Sequence, residues 1–557
     1  MKLREYQQEA IDKIVASLNE NGSSLVVMPT GTGKTVVFGH TIKRLLRPGK
    51  RAMVIAHREE LVRQAAAKIE AITGLRPDIE MADSKADQGM FGRSRVVVAS
   101  VQTLISGERM KRFDPREFGI LITDEAHHAV SSSYCQIFDH MLSAGCRHLG
   151  VTATPDRADE QALGKIYEDA AYVYELPDAV HDGWLVPITQ QMIRITGLDY
   201  SQVKITAGDL NQGDVARAQA SESILQGMCD AIVQLSGNKR TIIFATPGKM
   251  SEAGDSFKIS ERVEEILNRH KPGQAVRIAQ DTPKDIRRSL LQDYREGKFQ
   301  YLVNVGVFTE GFDEPGIEVV AVMRPTKSRS LYAQMVGRGT RPLPGVVDGV
   351  DRAEDRRTAI LNSAKPMVHV IDFAGNPGRH KLVTAVDILG GNYDEVVVER
   401  ARKKVEQGQA INPSQALVDA LKEIEDERQA RERRAKVIGK AQFEAQLVNP
   451  FNVFDVHPAR IRGWDSRRGA SPKQVQLLGT FGIKADANMS MTHASQLIDE
   501  CMRRKKNGLV DFNQAKKLKT MGLSGDMSIA KASTVLGGGN RLKEIAEQWK
   551  AMNGGSQ

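Results

Sequence analysis

A glycine-rich loop at residues 30–35, with the sequence TGTGKT, constrains the fold more than any other feature of this chain. The apolar run 24–28 precedes it, which predicts a buried strand, and apolar residues at helical spacing follow it. A loop between a strand and a helix directs backbone N–H groups and the positive end of the helix dipole at one spot. We therefore expect a phosphate-binding loop, in which Lys34 contacts the β- and γ-phosphates of a nucleotide and Thr35 binds Mg²⁺. The residues expected to surround the phosphates are Thr30, Gly31, Thr32, Gly33, Lys34 and Thr35.

Length and composition limit the class of protein. At 557 residues the chain is long enough for three or four domains, because a single core rarely grows past about 250–300 residues. No apolar run approaches the ~18 residues of a membrane span, and the first residues lack the apolar core of a signal peptide. We therefore expect a cytoplasmic protein with no membrane partner. The four cysteines are scattered and form no C-x-x-C pair, which argues against a structural zinc site.

Strands predicted at 52–56, 95–99, 119–123 and 147–151 alternate with helices, which is typical of a parallel α/β sheet. A polar cluster follows each of these strands. Ligands bind at the carboxyl ends of the strands in such a sheet, so the clusters are expected to form one site. Asp124 is suited to bind Mg²⁺ together with Thr35, and Glu125 is suited to polarise the water that attacks the γ-phosphate.

A second alternating series begins near residue 239, after a polar connector, and contains no second phosphate loop. Residues 247–260 are rich in glycine and serine, and we interpret them as a loop insertion. The pattern Q-x-x-G-R-x-x-R then places Gln334, Arg338 and Arg341 near the end of the series. The two arginines lie three residues apart, so they are expected to share a helical face. Across a cleft they would neutralise charge on the γ-phosphate, an effect worth about 10³–10⁵ in rate in other phosphoryl-transfer enzymes.

These motifs, in this order, resemble those of superfamily 2 helicases, whose two RecA-like lobes bind ATP and Mg²⁺ between them. TGTGKT, DEAH at 124–127 and TAT at 152–154 resemble motifs I, II and III of that superfamily. NVGVFTEGFD at 304–313 resembles its motif V, and QMVGRGTR at 334–341 resembles its motif VI. LRxYQ at 3–7 resembles its adenine-reading Q motif, which fits the capacity of a glutamine amide both to donate and to accept.

The resemblance also implies roles for residues outside the phosphate loop. Those expected next to the base and ribose of ATP are Arg4, Gln7, Gly311 and Asp313. Those expected to couple hydrolysis to movement are His127, Thr152 and Thr154. Those expected to contact nucleic acid are His57, Arg58, Gln102, Thr103, Thr246 and Thr309.

A closer resemblance, to the RadD-type DNA repair helicases of bacteria and phage, rests on YLVNV at 301–305, RPT at 324–326 and IDFAGNP at 371–377. It covers about residues 1–380. RadD-type proteins continue into a cysteine-rich zinc region that this sequence lacks, so no role of that region is implied. The resemblance implies movement on single-stranded or branched DNA in repair, recombination or phage replication, in the cytoplasm of a bacterium or of a phage-infected host.

The basic residues are concentrated in the C-terminal part of the chain. From residue 401 onward it has 27 Lys and Arg against 17 Asp and Glu, whereas the net charge of the whole chain is +9. This excess favours contact with nucleic-acid phosphates. Residues of the segment 474–495 recur about 40 positions later, which predicts two small helical units, and a candidate phosphate-binding cluster lies between them at Arg503, Arg504, Lys505 and Lys506. A surface that docks repair or replication proteins, or a purely structural module, is the alternative.

The sequence therefore predicts an α/β protein with two tandem RecA-like parallel-sheet lobes and an α-helical C-terminal region that contains a tandem repeat. The predicted segments are an ATP-binding lobe at 1–190, a connector at 191–218, a second lobe at 219–380, a charged helical linker at 381–445 and a basic repeat domain at 446–557. The predicted function is an ATP-dependent DNA helicase or translocase. An RNA helicase, the motor subunit of a restriction system and an ATP-switched clamp that does not unwind are the alternatives.

Overall fold

The computed structural model describes residues 3–536 except 83, 89–92, 154–161, 207, 253–254, 307–313, 376–379, 392, 409–411, 439–449, 455, 457, 460–468, 486–488 and 521–522. The chain divides into two compact units. The first contains residues 1–391 and 395–427, and the second contains residues 392–394 and 428–557. Among the described residues, no helix has both the length and the apolar character that a membrane crossing requires.

The first lobe of the first unit is built on a parallel sheet with the strand order β3-β4-β2-β5-β6-β1-β7. Its strands are β1 (Ser23–Val27), β2 (Arg51–Ala56), β3 (Asp78–Glu80), β4 (Val96–Ser100), β5 (Phe118–Asp124), β6 (Arg147–Thr152) and β7 (Ala170–Val173). Every residue of β2 and β4 is buried, as expected where helices cover both faces of a parallel sheet. The helices are Glu5–Glu20, Lys34–Leu45, Glu59–Thr73, Val101–Leu104, Ser132–Met141 and Leu176–His181.

The second lobe is also built on a parallel sheet, and it confirms the predicted tandem α/β architecture. Its strands are β8 (Ile188–Met192), then, beyond the small hairpin of β9 (Ile205–Thr206) and β10 (Asp209–Leu210), β11 (Thr241–Phe244). After the hairpin of β12 (Lys249–Glu252) and β13 (Asp255–Lys258), the sheet continues with β14 (Ala275–Ile278), β15 (Tyr301–Asn304), β16 (Val319–Val322) and β17 (Val368–Asp372). The strand order is β14-β15-β11-β16-β17-β8. The helices are Gln212–Gln219, Glu222–Ser236, Ile259–His270, Lys284–Arg295, Arg329–Gly337, Ala353–Leu361 and Ala385–Leu389.

Two predicted boundaries of the lobes are wrong. Strand β8 pairs with β17 in the second sheet, so the first lobe ends before residue 188 and not at 190. The predicted connector 191–218 is also part of the second lobe, because Leu198, Tyr200, Val203 and Val215 join its buried core. The segment is mostly polar, so its few apolar residues, which are widely spaced, did not predict a packed element. In the fold they pack against the helix Glu222–Ser236 and the sheet.

The interpretation of residues 247–260 as a loop is also wrong. Strands β12 and β13 pair there as an antiparallel hairpin. Residues 249–258 contain glycine and serine and only two large apolar residues, Met250 and Phe257, so a hairpin of this kind resembles a loop by composition.

The predicted charged linker is more closely packed than an exposed spacer. The helix Glu395–Glu406 and the first half of the helix Pro413–Ile438 bury Val397, Ala401, Leu417 and Ala420 almost completely. Ion pairs of 2.8 Å between Arg400 and Glu427 and of 2.6 Å between Lys404 and Glu423 join the two helices. Residues 395–427 therefore belong to the first unit, and residues 439–445 of the predicted linker lie outside the described residues.

The second unit is helical and contains the predicted repeat. Its helices are Pro450–Phe454, Pro472–Thr480, Met491–Lys506, Phe512–Thr520 and Ile529–Leu536. In each copy an isolated β-bridge joins a residue shortly before the first helix to the residue before the second helix. The bridge pairs Gly469 with Ser490 in the first copy and Leu509 with Ser528 in the second. The repeat therefore encodes one helix–bridge–helix motif used twice.

The recurring residues hold equivalent positions in the two copies. Gln474 and Gln514 each accept a hydrogen bond from a backbone N–H three residues earlier, on Ser471 and Asp511, at the start of the first helix. Leu478 and Leu518 are fully buried, as are Ala494 and Ala532. The repeat is thus a pattern of helix caps and core residues. Gly522 stands 40 positions after Gly482, as the repeat predicts, but it lies outside the described residues.

Candidate active site

The glycine-rich loop lies where the sequence predicts it, between β1 and the helix Lys34–Leu45. Gly31 and Gly33 have φ angles of 93° and 85°, in the left-handed region that favours glycine. A Cβ on Gly33 would lie 2.7 Å from Nε2 of Gln7, and one on Gly31 would lie 3.2 Å from Cγ and Nε of Arg341. Only glycine therefore fits these positions, and the backbone amides stay accessible at the start of the helix.

The acidic pair follows β5, whose last residue is Asp124. Both carboxylates are largely buried, with 7% of each residue exposed. Oδ1 of Asp124 accepts the backbone N–H of Glu125 at 3.0 Å. Glu125 has a φ of 48°, an unusual conformation for a residue with a side chain. The backbone is thus held in a strained turn that fixes the direction of the Glu125 carboxylate.

A chain of polar contacts joins motifs I, II and III. Nζ of Lys34 lies 3.2 Å from Oε1 of Glu125. Nδ1 of His127 lies 3.4 Å from Oε2 of Glu125 and 3.3 Å from Oγ1 of Thr152. The sequence predicted a catalytic role for Lys34 and Glu125 and a coupling role for His127 and Thr152, and the structure brings all four together. Thr154, the other predicted coupling residue, lies outside the described residues.

The Q-motif residues contact the glycine-rich loop in this structure. Nε2 of Gln7 and the hydroxyl of Tyr6 donate to the carbonyl oxygen of Thr32 at 2.9 Å and 2.7 Å. Oε1 of Gln7 accepts the backbone N–H of Arg4 at 3.1 Å. The glutamine therefore ties the first helix to the loop, and its contact with adenine stays a prediction.

An aromatic and cationic cluster next to the Q motif was missed by the sequence analysis. The guanidinium carbons of Arg4 and Arg356 lie 4.3 Å and 3.9 Å from the ring centre of Trp184. Arg356 also donates to the carbonyl oxygens of Asp182, Val350 and Asp351 at 2.7–3.0 Å. Trp184 therefore links the amino terminus of the first lobe to the helix Ala353–Leu361 of the second. No local pattern marks this cluster, because its members are far apart in sequence.

The motif VI arginines lie on the second lobe, but they do not share a helical face. The helix ends at Gly337, so Arg338 is its C-cap and Arg341 lies beyond it. Gly339 packs against the sheet beyond this end, where a Cβ would lie 2.4 Å from Val368. Arg341 nevertheless reaches the glycine-rich loop at Gly31. Burial lowers the pKa of Arg341 to about 10, and the side chain is placed to face phosphates bound by that loop.

Lys365 positions the Arg341 segment and was also missed. Its Nζ donates to the carbonyl oxygens of Arg341 and Pro315, each at 2.7 Å, and only 1% of the residue is exposed. Burial lowers the pKa of Lys365 to about 7. The lysine thereby ties the end of motif VI to the segment that follows motif V.

The predicted nucleic-acid contacts divide into exposed and buried residues. His57 and Gln102 are exposed and lie together, with Gln102 Nε2 3.0 Å from His57 Nδ1. Arg58 donates across the lobes to the carbonyl oxygen of Gly306 at 3.0 Å. The side chain of Thr103 accepts the N–H of Ala82 and is largely buried.

Two of these predictions need correction. Thr246 is 1% exposed and donates to the carbonyl oxygen of Met323, so a direct contact with nucleic acid is wrong for this side chain. Thr103 is 9% exposed, and its hydroxyl oxygen accepts the backbone N–H of Ala82. Both hydroxyls satisfy backbone groups at strand ends, which sequence alone does not distinguish from ligand contacts. The predicted motif V residues Thr309, Gly311 and Asp313 lie outside the described residues.

The groups expected to bind Mg²⁺ fit that ion. Thr35 offers a hydroxyl and Asp124 a carboxylate, the hard oxygen ligands that Mg²⁺ prefers. Within the described part of the chain, no group of three His, Cys, Asp or Glu side chains is placed to hold a metal ion without other ligands. A magnesium ion at Thr35 and Asp124 would therefore complete its shell with nucleotide phosphates and water, as is usual for this ion.

The basic cluster of the second unit is smaller than predicted. Arg504 is 2% exposed and is bonded to Glu500, Asp526 and the carbonyl oxygens of Val510 and Gly525. Its prediction as a phosphate contact is therefore wrong, because the run RRKK wraps around a helix and turns one member inward. Arg503, Lys505 and Lys506 remain exposed, although Arg503 is paired with Glu500.

Residues 1–157 match the family described as Type III restriction enzyme, res subunit, and residues 224–342 match the helicase conserved C-terminal domain. The structure is also similar to a fragment of an HsdR subunit of a type I restriction enzyme from Vibrio vulnificus, with 21% identity, a TM-score of 0.47 and coverage of 67% of this chain and 65% of that one.

Individual relatives come from several kinds of organism. The helicase-family protein IRC3 of Saccharomyces cerevisiae is 30% identical over 76% of this chain and 59% of its own length. A 51.5 kDa protein of a Lactococcus phage is 26% identical over 57% of this chain and 62% of its own length. The DNA 3'-5' translocase XPB2 of Sulfurisphaera tokodaii is 24% identical over 61% of this chain and 78% of its own length.

The chain thus covers less than two thirds of IRC3 and of the phage protein. These matches do not single out the RadD type, and that narrower resemblance stays a prediction. They do agree with two parallel-sheet lobes that carry a phosphate loop, a DEAH motif and a Q-x-x-G-R-x-x-R motif in that order. Over residues 1–157 and 224–342 the chain is therefore similar to helicases of superfamily 2.

Proposed function

We propose that this protein hydrolyses ATP to move along DNA, as a translocase or helicase. One observation carries the proposal. The contacts from Lys34 through Glu125 and His127 to Thr152 lie on one lobe, and Arg341 of the other lobe reaches the same glycine-rich loop. A nucleotide held at this loop would therefore be contacted by both lobes, and its hydrolysis would change how they fit together.

The side chains divide the chemistry between them. Lys34 is paired with Glu125, and an incoming phosphate would compete for the lysine, which releases the carboxylate to accept a proton from the attacking water. Arg341 adds positive charge where the γ-phosphate becomes more negative. Mg²⁺ held by Thr35 and Asp124 would supply further neutralisation of the phosphates.

The link to movement follows from the same contacts. His127 touches both Glu125 and Thr152, so a change at the catalytic carboxylate is transmitted to motif III. Arg58 bonds to Gly306 across the lobes, and its neighbours His57 and Gln102 are exposed on the same edge of the sheet. A strand bound at this edge would be displaced when the lobes separate.

We propose DNA and not RNA as the substrate, because the relatives include a DNA translocase and the endonuclease subunit of the type I restriction enzyme EcoAI. The basic excess after residue 401 supports a second contact with the phosphate backbone. We propose a role in DNA repair, recombination or phage replication. A restriction-system motor is the second candidate, because the amino-terminal match is to a restriction enzyme family.

The test is the steady-state ATPase activity of the wild type and of Lys34→Ala. Each is measured with no polymer, single-stranded DNA, duplex, forked DNA and RNA. Lys43→Ala is the matched control, because Lys43 is an exposed residue of the same helix. Stimulation by DNA that is lost in Lys34→Ala and kept in Lys43→Ala supports the motor.

Other outcomes contradict the proposal in different ways. Stimulation by RNA alone would replace the substrate. Activity that no polymer changes would argue against a motor and would favour an ATP-switched clamp.

A further inference from the structure

A cleft between the lobes lies beside the catalytic network and is built to attract anions. It has a volume of about 290 Å³ and is lined by residues of both lobes. Its described lining includes two arginines and three histidines and no acidic residue. The two arginines, with no acid beside them in this lining, give a positive potential that a low-dielectric wall concentrates.

Arg324 is the cation of this cleft that the proposed ATPase leaves without a role. Within the described part of the chain its guanidinium makes no hydrogen bond or ion pair, and its Nε is buried. Burial lowers the pKa of Arg324, and Asp209 opposes that shift. The carboxylate of Asp209 is bonded instead to the hydroxyl of Thr326 and the N–H of Lys327, at 2.8 Å and 2.6 Å. It therefore holds the turn after Arg324 and does not pair with the guanidinium.

Ser330 supplies a second, independent sign of a ligand. It is 4% exposed and lines the cleft, yet its Oγ has no hydrogen-bond partner. Gln334 is 3% exposed and lines the same cleft with an Nε2 that also lacks a partner. Buried polar atoms are rarely left in this state, and here a hydroxyl and an amide donor face the same space as an arginine.

The helix that carries these groups adds to the attraction. Ser330 and Gln334 belong to Arg329–Gly337, and the amino terminus of this helix lines the cleft at Ser328, Ser330 and Leu331. A helix of this length carries a positive partial charge at its amino terminus.

We propose that Arg324 and Ser330, with the amino terminus of this helix, form an inter-lobe site for one phosphate group. Arginine, hydroxyl and the positive end of the helix dipole together match the oxygens of a phosphate and its negative charge. The group has two possible sources, inorganic phosphate and the backbone of bound nucleic acid. The inference uses the proposed ATPase only for the first source.

The site is tested with Arg324→Gln and Ser330→Ala, with Arg352→Gln as the control. Arg352 is 77% exposed on the same lobe, so its change removes one positive charge away from the cleft. Thermal melting of each variant establishes that it is folded. Ser330→Ala removes a single oxygen, so it tests the site even if Arg324→Gln does not fold.

The first arm uses the full chain with saturating ADP and Mg²⁺, which occupy the glycine-rich loop, and titrates inorganic phosphate by calorimetry. For inorganic phosphate as the ligand, we expect Arg324→Gln to weaken binding about tenfold or more, since hydrogen bonds to charged groups are the strong ones. Ser330→Ala should weaken it a few-fold, and Arg352→Gln should match the wild type.

The second arm measures the affinity of a labelled single-stranded oligonucleotide over a series of salt concentrations. For a backbone phosphate as the ligand, Arg324→Gln should lower the affinity and reduce the slope of log affinity against log salt by about one. An Arg324-dependent effect in either arm, absent from Arg352→Gln, supports the site and identifies its source. Wild-type behaviour of folded Arg324→Gln and Ser330→Ala in both arms, or an equal loss in Arg352→Gln, would overturn it.

The two proposals fail separately. A wild type without ATPase activity that still binds phosphate through Arg324 would leave the site standing and remove the motor. An active ATPase with no Arg324-dependent binding would remove only the site.

Discussion

The first lobe and the second lobe are both parallel sheets covered by helices, but they place their functional groups differently. In the first lobe the groups lie at the carboxyl ends of the strands or shortly beyond them: Glu125 follows β5, Thr152 ends β6 and Lys34 begins the helix after the β1 loop. In the second lobe the main group, Arg341, lies beyond the end of a helix and is held by the distant Lys365. The first lobe thus positions its chemistry by local geometry, and the second does so by tertiary contacts.

This difference indicates in which lobe the position of the functional side chains is less sensitive to substitutions elsewhere. A strand end in a parallel sheet is fixed by many backbone hydrogen bonds, so a substitution there alters a side chain and leaves its neighbours in place. Arg341 depends on the buried Lys365 and on the packing of Gly339. Its position should therefore respond to substitutions that never touch a nucleotide.

Arg341→Ala provides the strongest test of the division of labour. We expect kcat to fall by about 10³-fold or more, the range found for arginines that stabilise phosphoryl transfer. Binding of ATP should persist, since the glycine-rich loop is unchanged. Single-turnover hydrolysis and binding of a fluorescent ATP analogue measure the two effects, with Arg352→Ala as control. Unchanged kcat would mean that the first lobe performs the chemistry alone.

Glu125→Gln tests the first lobe by a change that keeps size and removes charge. We expect kcat to fall by about 10²–10⁴-fold, the usual contribution of a general base. ATP binding should be retained or strengthened, because Lys34 loses a competing carboxylate. The same two assays apply. A variant that hydrolyses ATP normally would show that another group activates the water.

Lys365→Met tests the indirect support of Arg341. Two buried carbonyl oxygens lose their donor, and we expect kcat to fall about tenfold with little change in KM, as for a positioning residue. A proportional rise in KM with constant kcat would instead indicate a general loss of nucleotide binding.

The same residue gives a pH signature. The pKa of Lys365 is about 7 in the fold and about 10.4 in an unfolded chain. The unfolded state therefore binds more protons between these values, and the lysine's effect on stability becomes more favourable as the pH rises through this range. From pH 7 to 9 the free energy of unfolding should rise by about 2 kcal/mol more in the wild type than in Lys365→Met. Denaturant titrations at both values measure this, and identical slopes would contradict the assignment.

Trp184→Ala gives the smallest expected effect. It removes the ring that Arg4 and Arg356 cover from the two lobes, and partly exposed cation–π contacts are worth about 0.5–1 kcal/mol each. We expect KM for ATP to rise by a few-fold with kcat nearly unchanged, and Trp184→Phe to recover most of the loss. A fall in kcat like that of Arg341→Ala would place Trp184 in the catalytic machinery.

The sequence predicted that the polar groups of the first lobe lie together, because their arrangement is local. A strand, a short polar turn and a helix appear as one continuous pattern, so Lys34, Asp124 and Glu125 could each be assigned from their neighbours. The tandem α/β architecture followed from the same alternation.

The remaining features depend on contacts between distant segments. Lys365, Trp184 and Arg356 belong to no motif, and only the folded chain brings them to the site. Arg504 shows the opposite error, since a run of four basic residues has the composition of an exposed cluster although one member is in the core. The buried hydroxyls of Thr103 and Thr246 were assigned to a ligand because sequence does not reveal burial.

The pairing of β8 with β17 has a consequence for how the protein is made. The two strands are 180 residues apart, whereas the strands of the first sheet have all been synthesised by residue 173. On the ribosome the first lobe can therefore complete its sheet while the second lobe still waits for its last strand. Until β17 emerges, β8 presents unpaired backbone groups of the kind that join other chains. We therefore expect the nascent second lobe to be more exposed to wrong strand pairing than the first lobe.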